Sequence, residues 1–207
     1  MRYFYLALAA CFTAGLVFLF SSRALLPAPL GALLSPQHGI WQNAEPADAD
    51  YNDELALPDL EGRADVYIDE RLVPHVFAEN ENDLYFVQGY IHAKFRLWQM
   101  EFQTFAAAGR LSEILGEGPG GKLLDYDRNM RRLGMIWAAE KSVEEADRNP
   151  ASKAQYEAYA RGVNAWIAQL SESQLPVEYK LLGYYPEQWT PLKTALFLKF
   201  MSYDRRG

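Results

Sequence analysis

The sequence predicts an α+β chain, rich in helix, with one short strand pair opening its folded part and a membrane helix at its N-terminus. Three observations carry that prediction. Tyr3 to Phe20 run 18 residues without a charge. Residues 64–79 alternate apolar and polar on either side of a charged centre, the period of a strand. From Leu84 onward, apolar residues recur three and four apart in stretches punctuated by glycine and proline, the period and stop signals of helices.

At ~1.5 Å per residue the uncharged run makes ~27 Å of helix, close to the thickness of a bilayer's hydrocarbon core. Residues 1–23 therefore read as an inner-membrane anchor, with the rest facing the periplasm or extracytoplasmic side. A cleaved signal peptide is the main rival, and the length of the run favours the anchor. Leu8-Ala9-Ala10-Cys11 also resembles a lipobox, but the apolar run continues well past the cysteine. Residues 24–62 hold Pro27, Pro29, Pro36, Pro46 and Pro58 among small and acidic residues and read as a tether. Within it, residues 33–44 are expected to dock, since Ile40 and Trp41 are costly to leave wet.

The folded part spans residues 63–207. Two strands joined at Asp69-Glu70-Arg71 come first. A helix capped by Asn82 or Asp83 should follow from Leu84 to about Ala108. Leu84, Val87, Ile91, Phe95, Trp98, Phe102 and Phe105 should form its one buried stripe, with Gly109 as the stop. Residues 110–122 read as a short helix and a glycine-rich turn. Further helices are expected at about Leu124–Asp147, at about Ala151–Leu170 after the Asn149-Pro150 break, and from Pro191 through Met201.

Composition narrows the function. Half of the 207 residues are hydrophobic, enough for a core in one ordinary domain. A formal net charge of -7 gives no basic footprint, so nucleic acid is not an expected partner. Cys11 is the only cysteine, which excludes an intrachain disulfide and a cysteine-based metal cluster.

Several separated blocks then agree in order and spacing. They are VPHVFA at residues 73–78, DLYFVQGYIHAKFRLWQME at 83–101, GRLSEILG at 109–116, YARGVNAWI at 159–167 and PEQWTP at 186–191. Together they resemble the α subunit of the penicillin amidases, a family of N-terminal nucleophile hydrolases with an αββα fold. In the strongest block, Lys94-Phe95 stands where many members have Gln-Asp. The resemblance implies an amide hydrolase that cleaves linear amides of N-acyl compounds such as β-lactams or acyl-homoserine lactones. It also implies a precursor that cuts itself to expose an N-terminal serine, and a β subunit as partner. The resemblance further implies a bound calcium ion in the full-length protein, held mostly by the β subunit. By the family's spacing the serine, the β subunit and the one α-subunit calcium ligand would fall beyond Gly207. No catalytic residue and no metal ligand is therefore expected within these residues, and residues 1–207 alone are expected to be inactive. One site residue is carried over: Met201, which aligns with an α-subunit methionine lining the acyl pocket.

Other candidates read as structural. His38, His75 and His92 have no nucleophile and carboxylate arranged around them in sequence. Asp125 with Asp127, and Glu144 with Glu145, read as solvated helix faces. Arg128, Arg131 and Arg132 form a basic cluster, and ion pairs between helices are expected. The competing functional reading is a non-enzymatic, membrane-anchored helical envelope or binding protein.

Overall fold

A computed structural model of the chain describes residues 1–22, 29–43 and 54–204. Helix α1, Arg2–Ser21, has no buried residue and is long and apolar enough to cross a membrane. Strands β1 (Ala64–Ile68) and β2 (Pro74–Ala78) pair antiparallel, with Val66 opposite Val76. The turn between them is held by Asp69, whose Oδ1 accepts from the backbone N–H of Arg71 and of Val73, both at 2.9 Å. Both strands match the expected alternation. Val66 and Val76 turn inward onto Phe86, Val87, Tyr90 and Ile91 of the following helix.

That helix, α2, runs Glu81–Ala108 and differs from the expectation in two ways. Asn80 caps it, accepting from the Asp83 N–H at 2.8 Å, rather than Asn82 or Asp83. Asp83 is buried and instead accepts from the backbone of Glu61 and Gly62 at 2.9 and 2.8 Å, fastening the entry segment to the helix start. Second, the stripe is not continuous. The backbone leaves helical geometry at Arg96 (φ −141°, ψ 18°), which rotates the buried face. Leu84 and Phe95 are exposed, while Leu97, Met100 and Glu101 go inside after the kink.

Gly109 ends α2 in the left-handed conformation, as its position predicts. Helix α3 (Leu111–Leu115) and the glycine turn follow. The predicted helix over 124–147 is two, α4 (Lys122–Leu133) and α5 (Met135–Asp147), divided at Gly134, whose φ is 73°. Helix α6 (Pro150–Gln169) starts where Asn149-Pro150 predicts it, and the Asn149 side chain accepts from the Ala151 N–H at 3.0 Å. Asn149→Ala should therefore lower stability by about 1 kcal/mol, read as a fall in thermal unfolding midpoint. A short helix absent from the sequence reading, α7 (Val177–Leu182), lies between Pro176 and Gly183. Helix α8 covers Pro191–Asp204.

The core is organised by the crossing of α2 and α6. A Cβ on Gly162 would stand 1.9 Å from the Phe86 carbonyl oxygen, and one on Gly89 would stand 2.2 Å from that of Tyr159. Glycine on both helices thus lets the two backbones touch. Helix α8 packs across this pair, with Ala195 and Leu196 buried against α5 and the end of α2.

Candidate functional site

Where α2, α6 and α8 meet, they leave a cavity of about 870 Å³. Helix α2 contributes Tyr85, Gln88, His92, Arg96, Gln99 and Gln103 to its wall. Those positions step by three and four along the sequence, so they form a polar stripe beside the apolar one. The signal was present in the sequence and was masked by reading the helix only for its apolar face. Helix α6 adds Tyr156 and Tyr159, and α8 adds Phe197, Leu198 and Met201. Met201 is 37% exposed and stands at the far end of α8. Met201, carried over by resemblance, is among the residues that line this cavity. Gln103 Oε1 is buried without a hydrogen-bond partner among the described residues.

The close crossing also brings His92 Nδ1 within 3.0 Å of the Tyr159 hydroxyl. The His92 ring is exposed at the cavity, yet burial of part of it against its neighbours lowers its pKa below the usual 6.5. Burial pushes Tyr159 up to about 12. Near neutral pH the pair is therefore a neutral hydrogen bond. Asp204 shares the cavity wall, but neither His92 nor Tyr159 is hydrogen-bonded to a carboxylate among the described residues.

The blocks that carry the resemblance interlock physically. Asn164 of the 159–167 block holds Trp189 of the 186–191 block at both ends. Its Oδ1 accepts from the Trp189 N–H at 2.7 Å, and its Nδ2 donates to the Trp189 carbonyl at 2.9 Å. The buried indole N–H then donates to Thr194 at 2.9 Å, fixing the first turn of α8. Glu101, 1% exposed, ends the 83–101 block and gathers three donors. The Glu187 N–H (2.8 Å) and Lys193 Nζ (3.0 Å) reach Oε1, and the Tyr179 hydroxyl (2.7 Å) reaches Oε2. Ion pairs between helices are found as expected: this one joins α2 to α8, and Arg131 meets Glu113 at 3.8 Å between α4 and α3. Burial and the neighbouring Glu101 carboxylate hold the Tyr179 hydroxyl well above its ordinary pKa.

Arg110, from the 109–116 block, completes the chain of charges by meeting Glu187 at 2.8 Å and Glu113 at 2.8 Å. The Arg110 hydrogen bond, with the Lys193 ammonium behind it, holds Glu187 below its usual 4.5 despite burial pulling upward. A carboxylate with a lowered folded pKa contributes stability that is present above pH 4.5 and lost as pH falls through the lower folded value. Glu187→Gln should accordingly flatten the acid limb of the stability-versus-pH curve, measured by denaturant unfolding, and leave its slope near neutrality unchanged.

The remaining candidates take these places. His38 meets Glu172 and His75 meets Asp69, both on the surface. Glu144 and Glu145 are solvated, pairing with Lys141 and Arg148, as expected. Asp127 departs from expectation. It is buried and accepts from the backbone of Leu111 and Ser112 at 2.9 and 2.8 Å, so it caps α3 instead of facing water. Arg131 leaves its cluster to donate to the Gly109 carbonyl at 2.8 Å. No set of three or more His, Cys, Asp or Glu side chains that could hold a metal ion is gathered among the described residues.

Comparison with known proteins follows the same residues. The profile of the family described as penicillin amidase matches residues 63–207. Penicillin acylase 2 proenzyme of Pseudomonas sp. (strain SE83) is 38% identical over 137 residues, which is 66% of this chain and 17% of that protein. Acyl-homoserine lactone acylase QuiP of Pseudomonas putida is 31% identical over 186 residues, covering 90% of this chain and 22% of that protein. The chain spans about a fifth of the length of these curated relatives. Among solved structures, the thermostable penicillin G acylase from Alcaligenes faecalis superposes with a TM-score of 0.63 at 26% identity, over 70% of this chain and 74% of that one. A helix-rich body with one small strand pair is thus shared with a penicillin acylase. On the match over residues 63–207, this chain belongs to the penicillin amidase family.

Proposed function

We propose that the chain is the front part of an acylase precursor that hydrolyses the linear amide of N-acyl compounds, of the β-lactam or acyl-homoserine lactone kind. The observation that carries this reading is the cavity between α2, α6 and α8, whose wall combines Met201, Phe197 and Leu198 with amide and phenol side chains and with His92, Arg96 and Asp204. An apolar floor suits an acyl chain, and a few polar groups at its edge suit the amide. The soft, flexible thioether of Met201 suits a wall that adapts to different acyl groups.

The reaction itself is assigned to the downstream part of the precursor. Autoprocessing exposes a serine there, whose own α-amine, with a pKa of about 7.7–8.0, takes the hydroxyl proton as the oxygen attacks the amide carbon. Residues 63–204 supply the acyl-side wall and the α-subunit layer of an N-terminal nucleophile fold. The outer face of the strand pair, where Tyr67 and Phe77 are exposed and stacked edge to face, is the surface left for the partner layer. Calcium belongs to that downstream part too. Helix α1 holds the enzyme at the membrane on its periplasmic side. The test is to express the precursor with its downstream coding sequence, follow release of amine from an N-acyl amide, and sequence the new N-terminus. A serine there together with turnover is the expected result. A polypeptide that is neither cleaved nor active would instead support a non-enzymatic envelope protein.

A further inference from the structure

The segment after α1 leaves three large apolar side chains on its outer face. Residues 30–43 wind through two 3-10 turns, Leu30–Ala32 and Ile40–Asn43, closed by backbone bonds from Gly39 N to Ser35 O (2.8 Å) and from Ile40 N to Leu33 O (3.1 Å). A Cβ on Gly39 would stand 2.3 Å from the Leu33 carbonyl oxygen, so this knot closes only with glycine there. Gln42 and Asn43 face the protein. Asn43 donates to the Leu175 carbonyl at 2.8 Å and accepts from Lys180 at 2.9 Å. Gln42 accepts from Lys180 at 3.1 Å, and His38 lies 2.7 Å from Glu172. Leu30 and Leu33 are partly covered, but three large apolar side chains face away, with Leu34 59%, Ile40 47% and Trp41 70% exposed. The segment docks as expected, but through Gln42 and Asn43, and Ile40 and Trp41, which were expected to be covered, stay exposed.

A loop bathed in water has the opposite arrangement, with apolar side chains against the body. Helix α1 says what covers this face. A Cβ on Gly31 would stand 3.1 Å from the carbonyl oxygen of Phe20, so the knot sits against the last turn of α1. A spanning helix ends at the headgroup layer, and what touches that end lies at the same depth. The geometry points to Leu34, Ile40 and Trp41 as a lipid-interface anchor that seats one end of the folded body on the bilayer. Trp41 combines an apolar ring with an N–H, the chemistry enriched at that depth. The inference rests on reading α1 as a membrane helix and adds an orientation to it. The 171–180 stretch after α6 faces the lipid, and the Asn149 end of α6 stands ~30 Å away along the helix.

The native cysteine makes both parts separately measurable. The full chain, reconstituted in vesicles of phosphatidylethanolamine and phosphatidylglycerol, carries a spin label at Cys11 in one sample. In the Cys11→Ser background, further samples carry it at Ile40→Cys, Leu34→Cys and Arg148→Cys. Collision with a water-soluble nickel chelate, against collision with oxygen, reports depth. The expected result is a deep label at 11, labels at 34 and 40 several-fold less accessible to nickel than at 148, and a fully wet label at 148. A deep label at 11 with 34 and 40 as wet as 148 overturns the interface anchor and leaves α1 as a span. A label at 11 that is water-accessible, or lost with a cleaved N-terminus, overturns the anchor together with the reading of α1.

Discussion

Lys193→Met should lower the stability of the protein by about 3–5 kcal/mol, because it removes one partner of a buried ion pair and strands the other. Glu101 would keep only the Tyr179 hydroxyl and the Glu187 N–H as donors at a site almost closed to water. The Glu101→Gln, Lys193→Met double variant should recover much of the loss, since an amide carries no charge to desolvate. The two changes are then non-additive, as expected of groups in contact. Urea unfolding measures both, as a shift of midpoint at constant slope. A loss below about 1 kcal/mol, the range of exposed pairs, would show that Glu101 does not anchor α8.

Gly162→Ala should cost about 3 kcal/mol, at the upper end of overpacking, although the same change in an open helix interior is favourable by about 1 kcal/mol. The new methyl would meet the Phe86 carbonyl at 1.9 Å, and a backbone atom cannot move aside as a side chain would. The helices must separate, which also opens the His92–Tyr159 contact. A stabilised Gly162→Ala variant would mean that the crossing is looser than described.

The local signals in the sequence were reliable where the cause was local. Asn149-Pro150, Pro191 and Gly109 mark helix ends because cap geometry depends on neighbours in the chain. Gly134 carries the same kind of signal inside a longer helical pattern, as do Pro176 and Gly183 around α7. The register of α2 was out of reach for a different reason. A stripe presumes one straight helix with water on its far side, whereas α2 kinks at Arg96 and is covered by the strand pair, α6 and α8 in turn. The burial of Glu101 and of Asp127 was equally hidden, since their partners lie 92 residues away at Lys193 and 15–16 residues away at Ser112 and Leu111. Met201 came from resemblance alone. The cavity around it came from three helices that only tertiary packing brings together.

The claim that this cavity is the acyl-side wall of an amide hydrolase is tested most directly by acyl selectivity. In the full-length enzyme, kcat/KM is measured for a series of N-acyl amides that differ only in acyl size, with wild type and Met201→Ala side by side. Removing the thioether opens the wall at the mouth of α8, and a single methylene in an apolar pocket is worth about 1–3 kcal/mol of discrimination. The account predicts that Met201→Ala shifts preference toward bulkier acyl groups by roughly tenfold or more in the ratio of kcat/KM values. An unchanged ratio across the series, in an enzyme that remains folded and active, would contradict it.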